Sequence, residues 1–254
     1  MKKVEAYLNT KIDEKGCVHL ALVDPDKCDP ANATGLSEEV KREGTTAFMV
    51  GGSTSIGGEI VDGLIKGLRA GSDLPIILFP GSLCGISKYA DAVWFMSVLN
   101  SNNPYYITGA QAIGSMMVRA YNLEAIPLGY IIISPGGTAG FVSQANEVPY
   151  EKPEAAASYA LAAQYMGMRF VYLERGSGVE APITTTMVKT VKKVANEARI
   201  VVGGGIRTRQ QAKEIALAGA DAIVTGTVLE EKGASSSLRE IIGGIEEGVH
   251  ERKV

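Results

Sequence analysis

The stretch IVVGGGIRTRQQAKEIALAGADAIVTG, residues 200–226, contains the clearest pattern for predicting the fold. Short apolar runs at 200–203 and 221–225 each end at a glycine or lead directly into one. Between them, 208–218 has a helical pattern, with Thr208 as the capping residue at its start and a glycine directly after its end. The stretch therefore predicts a strand, a helix and a second strand, which is the repeating unit of parallel α/β proteins.

The same unit recurs along the chain. Nearly continuous apolar runs, as expected for parallel strands covered on both faces, alternate with helical patterns. Strands are predicted at 18–23, 46–50, 75–79, 91–95, 127–133, 169–173, 200–203 and 221–225. Helices are predicted at 34–43, 58–69, 104–121, 153–166, 184–197, 208–218 and 236–249. Length, strand count and the lack of a GxGxxG motif after the first strand favour one (β/α)8 TIM barrel over residues 1–254, with a doubly wound open sheet as the alternative.

Composition argues against several classes of protein. The chain has 46% hydrophobic and 21% charged residues, as soluble globular proteins do, and its net charge of −3 does not suit a nucleic-acid partner. Three cysteines without a CxxC pair and two histidines argue against a disulfide framework, a zinc site or a histidine triad. No signal-peptide pattern and no apolar run of membrane-spanning length is present, so we expect a cytoplasmic protein.

One connection is too short for its place in a barrel. Only PGSLCGISKYA, residues 80–90, separates the third and fourth predicted strands, whereas a parallel crossover usually contains a helix. We expect this helix to be missing or replaced by an extended segment. The flank is then either an apolar groove for a long apolar substrate or a connection covered by neighbouring side chains. Segment 94–111, with Tyr105 and Tyr106, either lines a long pocket or packs in the core or an interface.

Glycine-rich turns follow the seventh and eighth predicted strands, where barrels commonly bind phosphate. They are VGGGIRT, residues 202–208, and VTGTV, residues 224–228. Glycine lets backbone N–H groups approach a phosphate, and the helix that begins near Thr208 directs its positive end the same way. The two turns predict a ligand that carries phosphate, with tight turns that bind nothing as the alternative.

The first two predicted strands end in groups that suit a metal or a diphosphate. Asp24 ends the first strand in LVDPDK, residues 22–27. Mg²⁺ prefers oxygen ligands, often one or two carboxylates together with substrate phosphates, so Asp24 is a candidate ligand, with an Asx turn as the alternative. In VGGSTS, residues 50–55, the hydroxyl of Ser53 or Thr54 either serves the metal or diphosphate or caps a helix.

The sixth predicted strand ends in an acid and a polar loop, in VYLERGSG, residues 171–178. Tyr172 and Glu174 lie on one face, because side chains alternate along a strand. This phenol and this carboxylate are the candidate catalytic residues, and Glu174 is suited to orient a substrate hydroxyl or take its proton. A structural ion pair of Glu174 with Arg175 or Arg207 is the alternative.

Six segments together resemble the geranylgeranylglyceryl phosphate synthase family of archaea, in order and over nearly the whole chain. They are ALVDPDK (21–27), VGGSTS (50–55), ILFPGS (77–82), SVLNSNNPYYITGAQ (97–111), YLERGSG (172–178) and VGGGIR (202–207). The resemblance implies a barrel without the regular third helix. It also implies a phosphoglycerol geranylgeranyltransferase, which joins the 3-hydroxyl of sn-glycerol 1-phosphate to geranylgeranyl diphosphate and releases diphosphate with Mg²⁺. That reaction is the first committed step of archaeal membrane phospholipid synthesis.

The resemblance assigns residues to this chemistry. It implies that Asp24 and Ser53 bind Mg²⁺. It implies that glycerol 1-phosphate is bound by Tyr172, Leu173, Glu174, Arg175, Gly176, Ser177, Gly178, Gly203, Gly204, Thr225, Gly226 and Thr227. Two of these depart from the family pattern: Arg175 replaces a small residue, and Thr227 stands where asparagine is common. Leu22 replaces a lysine that is found in bacterial relatives with a longer prenyl donor, which favours the archaeal branch.

Other functions stay open from the residues alone. One is the same transfer from a heptaprenyl donor, and another is a sugar-phosphate isomerase or aldolase in which Asp24 and Glu174 form the carboxylate pair. A third is a non-enzymatic phosphate-binding or assembly protein. We expect small-molecule substrates, no nucleic acid and a homo-oligomer, and transient membrane contact is compatible with a lipid product.

Overall fold

The computed structural model describes residues 3–52, 57–230 and 234–253. The strands are β1 Val18–Val23, β2 Ala47–Val50, β3 Ile76–Leu78, β4 Ala92–Val98, β5 Glu124–Ile132, β6 Phe170–Glu174, β7 Arg199–Gly203 and β8 Ala222–Thr225. Each strand pairs in parallel with the next, and β8 pairs with β1, so the sheet is a closed barrel. The predicted TIM barrel is confirmed, and the open sheet is excluded.

α-Helices precede β1 and follow every strand except β3. They are α1 Lys3–Lys15, α2 Ala33–Arg42, α3 Glu59–Gly71, α4 Ala110–Ala120, α5 Gly137–Val142, α6 Pro153–Tyr165, α7 Thr185–Val194, α8 Arg209–Leu217, α9 Thr227–Glu230 and α10 Ala234–Lys253. The helix predicted at 104–121 starts as a π-helical turn, Tyr105–Gly109, and continues as α4. Within the described ranges, no helix is both long enough and apolar enough to cross a membrane.

Helix α1 lies outside the predicted helices and covers one end of the barrel. Its Val4, Leu8 and Ile12 are buried in the same core cluster as residues of the barrel interior such as Trp94. The carboxylate of Glu124, the first residue of β5, accepts hydrogen bonds from the backbone N–H groups of Val4 and its neighbour. Because Glu124 is at the start of its strand, α1 covers the amino-terminal end and leaves the carboxyl-terminal end for ligands.

The connection between β3 and β4 contains no α-helix, as predicted. Residues 80–90 form a single 3₁₀ turn at Leu83–Gly85, flanked on both sides by extended backbone at Ser82 and Ile86. The outer layer of the barrel therefore lacks a helix on this flank.

The start of α8 provides a test of local stability. Thr208 and Gln211 form a capping box, in which the Thr208 hydroxyl accepts from the Gln211 N–H and the Gln211 side chain accepts from the Thr208 N–H. Removing such a cap costs about 1 kcal/mol. Thr208→Ala should therefore lower the thermal unfolding midpoint by about 2–4 °C in a circular dichroism melt.

Ser115→Ala in α4 is the matched control for this melt. The Ser115 hydroxyl is exposed and donates to the Ala112 carbonyl within the same helix. Its removal should leave the midpoint nearly unchanged. Equal midpoints for the Thr208 and Ser115 variants would contradict a stabilising cap at α8.

Candidate active site

Two cavities open at the carboxyl-terminal end of the barrel and share a wall. The large cavity has a volume of about 300 Å³ and the small cavity about 30 Å³. Both are lined by Leu22, Glu174, Ser177, Gly226 and Thr227. Glu174 thus stands where ligands in the two cavities would meet.

The large cavity extends from the barrel mouth onto the flank where the helix is missing. There it is lined by Leu83 and Ile86 of the β3–β4 connection, Phe95 of β4, and Gly114 and Val118 of α4. These groups are apolar, so the flank is suited to a long hydrocarbon chain. The groove predicted as one alternative is present, and the neighbouring side chains do not fill it.

The predicted lining segment contributes to this cavity. Tyr105 and Tyr106 both line it, with their rings edge to face and their centroids 5.1 Å apart. The Gln111 side-chain amide donates to the Met96 carbonyl and so ties the start of α4 to β4. Segment 94–111 therefore forms one wall of the large cavity.

The small cavity is enclosed by the backbone of the loops that follow β6, β7 and β8. Gly204 has a φ of +88°, and a Cβ there would lie 2.8 Å from the Gly176 carbonyl oxygen. Glycine is therefore needed for the two loops to touch. Gly178 and the exposed Arg207 also line the cavity, and α9 begins at Thr227 beside it. Backbone N–H groups and one guanidinium around a small space suit a phosphate group.

Glu174 is buried, and its hydrogen bonds are with neutral groups. One carboxylate oxygen accepts from the Gly176 N–H at 2.5 Å, and the other accepts from the Tyr130 hydroxyl at 3.2 Å. Burial raises the pKa of Glu174, while hydrogen bonds from Gly176, Tyr172 and Tyr130 lower it, and the net shift is upward. A carboxyl group with a raised pKa is suited to exchange a proton with a substrate.

Three aromatic rings pack together inside the barrel beneath Glu174. The ring centroids of Phe79, Tyr130 and Tyr172 lie 5.2–5.6 Å from one another. Burial, followed by the charge of Glu174, raises the pKa of both phenols, so they stay protonated and can donate hydrogen bonds. Phe79 and Tyr130 are absent from the predicted site. The feature that could have identified Tyr130 is the register of β5 and β6, in which Tyr130 lies opposite Tyr172.

Three of the predicted substrate-binding residues have other contacts. Leu173 is buried in the core cluster between the barrel and its outer helices. Thr225 lines the small cavity, but its hydroxyl lies 2.9 Å from Nε2 of the buried His19. Gly203 lies against the Tyr172 hydroxyl. Any contact of these residues with a ligand in the small cavity is therefore through the backbone or through a neighbour.

Arg175 points away from both cavities and holds its own loop in place. Its guanidinium lies 3.7 Å from the centroid of the Tyr150 ring and donates to the carbonyl oxygens of Ala181 and Pro182. These contacts anchor the far end of the loop that begins after β6. Among the described residues, Glu174 pairs with neither of the two arginines considered for it.

Asp24 is half-buried in the wall of the large cavity. Its Oδ1 accepts from the Asp26 N–H at 3.0 Å, so the Asx turn is present. A Cβ on Gly52 would lie 2.7 Å from this oxygen, so glycine is needed for the backbone to pass this close to the carboxylate. Burial raises the pKa of Asp24. Ser53 and Thr54 lie outside the described residues.

These features fit a site for Mg²⁺ that is completed by substrate. The described residues contain no group of three or more histidine, cysteine or acidic side chains that could hold a metal on their own. Asp24 supplies one carboxylate beside a cavity, and Mg²⁺ commonly binds one or two carboxylates together with substrate phosphate oxygens.

An ion pair stands at the mouth of the large cavity. The Lys27 ammonium lies 3.0 Å from both carboxylate oxygens of Glu230. Both residues line the cavity, Lys27 from the loop after β1 and Glu230 from the end of α9. Neither was predicted as a site residue, since Lys27 was assigned only to the turn after the first strand.

Comparisons with known proteins agree with this geometry. The sequence profile of the PcrB family matches residues 9–245. The chain is 50% identical over 249 residues to the geranylgeranylglyceryl phosphate synthase of Thermococcus sibiricus, which covers 96% of this chain and 97% of that protein. It is 50% identical over 247 residues to the Pyrococcus furiosus protein of the same name, which covers 97% of this chain and 98% of that protein.

A solved structure is similar over nearly its full length. It is the crystal structure of (S)-3-O-geranylgeranylglyceryl phosphate synthase from Thermoplasma acidophilum in complex with its substrate sn-glycerol-1-phosphate. The TM-score is 0.92 at 40% identity, and the match covers 97% of this chain and 99% of that one. The resemblance found in the sequence is confirmed, and the chain belongs to the PcrB family.

Proposed function

We propose that this protein is a prenyltransferase that joins a geranylgeranyl group to the 3-hydroxyl of sn-glycerol 1-phosphate. The main support for this proposal is that Glu174 lies in the wall shared by the small cavity, which suits a phosphate, and the large cavity, which has an apolar flank. The two substrates differ in the same way, since one is compact and phosphorylated and the other has a long hydrocarbon tail. The names of the relatives support the same reaction.

The reaction forms one carbon–oxygen bond and breaks another. The substrate hydroxyl oxygen attacks the first carbon of the prenyl group, and the bond from this carbon to diphosphate breaks, with its electron pair leaving on the diphosphate. Glu174 accepts the hydroxyl proton. Gly176 and Tyr130 hold the Glu174 carboxylate in one orientation through their hydrogen bonds. Ligands in adjoining cavities keep the hydroxyl close to the reacting carbon, which removes most of the entropic cost of their encounter.

The flank of the large cavity would supply the affinity for the prenyl tail. Burying hydrocarbon stabilises a complex by about 0.8 kcal/mol for each CH₂ group. Leu83, Ile86 and Val118 offer an apolar surface for this burial. An isomerase or aldolase acting on a sugar phosphate would have no use for this surface.

We propose that the reaction requires Mg²⁺ as a cofactor. Asp24, together with Ser53, would hold the ion next to the diphosphate of the prenyl donor. When bound, Mg²⁺ neutralises the charge on the leaving diphosphate. The position of the half-buried Asp24 carboxylate in the wall of the large cavity supports this assignment.

We also propose that the protein is cytoplasmic and acts as a homo-oligomer. Ile113 and Met116 of α4 and Phe141 of α5 are 63%, 68% and 84% exposed. Large apolar side chains exposed to this degree support contact with another surface.

Direct assay tests the proposed reaction. We would incubate the protein with glycerol 1-phosphate, Mg²⁺ and farnesyl, geranylgeranyl or heptaprenyl diphosphate, and detect the ether product by mass spectrometry. We expect product chiefly from the geranylgeranyl donor, and its loss when Mg²⁺ is removed or in Asp24→Ala. Product chiefly from the heptaprenyl donor would keep the chemistry and correct the substrate. No product from any donor would overturn the proposal.

The pKa of Glu174 predicts how the activity depends on pH. Glu174 must be ionised to accept a proton, and its pKa lies above the ordinary value. As pH falls, kcat/KM should therefore decline at a higher pH than the value of about 4.3 that is normal for glutamate. Glu174→Gln should lower kcat by about 10²–10⁴-fold.

The residual activity of Glu174→Gln serves as the control for the acidic limb. Asp24 also has a raised pKa, and it is still present in this variant. If Glu174 is the base, the residual activity should lose the acidic limb. A limb that persists unchanged in the variant would assign the titration to another group.

The contacts of Arg175 predict that its removal raises the KM for glycerol 1-phosphate and not the KM for the prenyl donor. Arg175→Ala removes the Tyr150 stacking and the carbonyl contacts that order a wall of the small cavity. A loss of about 1 kcal/mol of ordering energy corresponds to a KM for glycerol 1-phosphate that is about fivefold higher. The KM for the prenyl donor should stay constant in steady-state kinetics.

Arg175→Lys and Arg239→Ala are the matched variants. Lysine keeps the charge without the planar fork, so an intermediate KM is expected. The exposed Arg239 of α10 pairs with Glu43, which directly follows α2, and its loss should change neither KM. An equal rise of both KM values in Arg175→Ala would show general damage and contradict a specific effect on the loop.

A further inference from the structure

We propose that Lys27 binds the diphosphate of the prenyl donor, and that Glu230 competes with that diphosphate for the Lys27 ammonium. This inference rests on the proposed function and deepens it. Lys27 binds the prenyl donor, and Glu230, its partner in the ion pair, regulates that binding.

The charges around the large cavity make Lys27 distinctive. Among its described lining residues, Asp24, Glu174 and Glu230 are acidic, and Lys27 is the one cation. A prenyl diphosphate carries several negative charges, and placing it beside these acids is unfavourable unless cations meet it. A bound magnesium ion would meet part of that charge, and among the described lining residues Lys27 is the cation that can meet more of it.

Each of the two cavities has one cationic side chain among its described lining residues. Arg207 is the single cationic residue among the described residues that line the small cavity. Arg207 can bind a single phosphate in the small cavity, whereas Lys27 lies at the mouth of the large cavity. The two anionic substrates would thus each meet a different cation.

The backbone holds Lys27 close to the proposed metal ligand. The N–H groups of Lys27 and Cys28 both donate to the Asp24 carbonyl at 3.0 Å, which closes a tight turn. The Asp24 side chain and the Lys27 side chain therefore start from the same turn, and both line the large cavity. A diphosphate beside Asp24 is within reach of a long, flexible lysine side chain.

The Lys27 ammonium can readily exchange Glu230 for another anion. The side chains of Lys27 and Glu230 are 48% and 30% exposed. Ion pairs with this exposure are weak, since water screens them and two flexible side chains must be ordered. The diphosphate, with more charge than a carboxylate, can displace Glu230, and Glu230 can recover the lysine when diphosphate leaves.

Opposite effects of two substitutions test the inference. Lys27→Ala should raise the KM for geranylgeranyl diphosphate about tenfold and raise the inhibition constant of inorganic diphosphate similarly. Glu230→Gln frees the lysine and should lower both constants about twofold to threefold. The KM for glycerol 1-phosphate should stay constant in both variants, and Lys27→Arg should restore most of the loss.

Lys213→Ala is the control for breaking an exposed ion pair elsewhere. Lys213 pairs with Glu251 between α8 and α10, and its loss should change none of these constants. The inference is overturned if Lys27→Ala leaves the KM for the prenyl donor and the inhibition by diphosphate unchanged. It is also overturned if Glu230→Gln weakens both as Lys27→Ala does, because the pair would then be structural.

Calorimetry with inorganic diphosphate and Mg²⁺ separates this inference from the proposed function. If the wild-type protein makes no ether product, the proposed function is wrong. Weaker diphosphate binding by Lys27→Ala than by the wild type would still support the anion site. Equal binding by the two proteins would overturn it.

Discussion

The Glu174 carboxyl group is buried and must stay hydrogen-bonded there, and this requirement shapes the site around it. A buried carboxylate is costly unless other groups satisfy it. Here the partners are the Gly176 N–H and the Tyr130 hydroxyl. Gly176 belongs to the loop that touches Gly204, and Tyr130 belongs to the aromatic cluster inside the barrel. The groups that satisfy Glu174 therefore also build the wall between the two cavities.

The missing helix gives a common fold an unusual binding surface. Barrels often bind phosphate beside their last two strands, and this chain has a cavity suited to phosphate there. Where a helix would normally cover β3 and β4, Leu83 and Phe95 instead line an apolar cavity. A site for a phosphate and a site for a hydrocarbon chain are thus joined at one carboxyl group, which suits the transfer of a lipid group to a small phosphorylated alcohol.

The fold could be predicted from the sequence because its signals are local. Apolar runs located all eight strands, and the length of residues 80–90 was enough to predict the absent helix. Helix α1 was missed because its buried stripe, Val4, Leu8 and Ile12, is set among charged residues. The apolar spacing of four residues was the available signal.

The site was predictable only in part. The acidic and glycine-rich strand ends identified Glu174 and the loops of the small cavity. Tyr130 was missed because its contact with Glu174 depends on strand register, which one apolar run does not reveal. The orientation of the Arg175 side chain depends on Tyr150, which lies in another loop. The Lys27–Glu230 ion pair joins residues from near the two ends of the chain. Such contacts follow from closure of the barrel and not from any local pattern.

A crystal structure with both ligands bound would show whether the two substrates meet at Glu174. It would contain glycerol 1-phosphate and a thio-linked geranylgeranyl diphosphate analogue that does not react. We expect phosphate in the small cavity, the prenyl tail between α4 and residues 80–90, and the 3-hydroxyl about 2.6–3.2 Å from the Glu174 carboxylate. A tail that leaves the barrel elsewhere, or a hydroxyl that faces away from Glu174, would contradict this expectation.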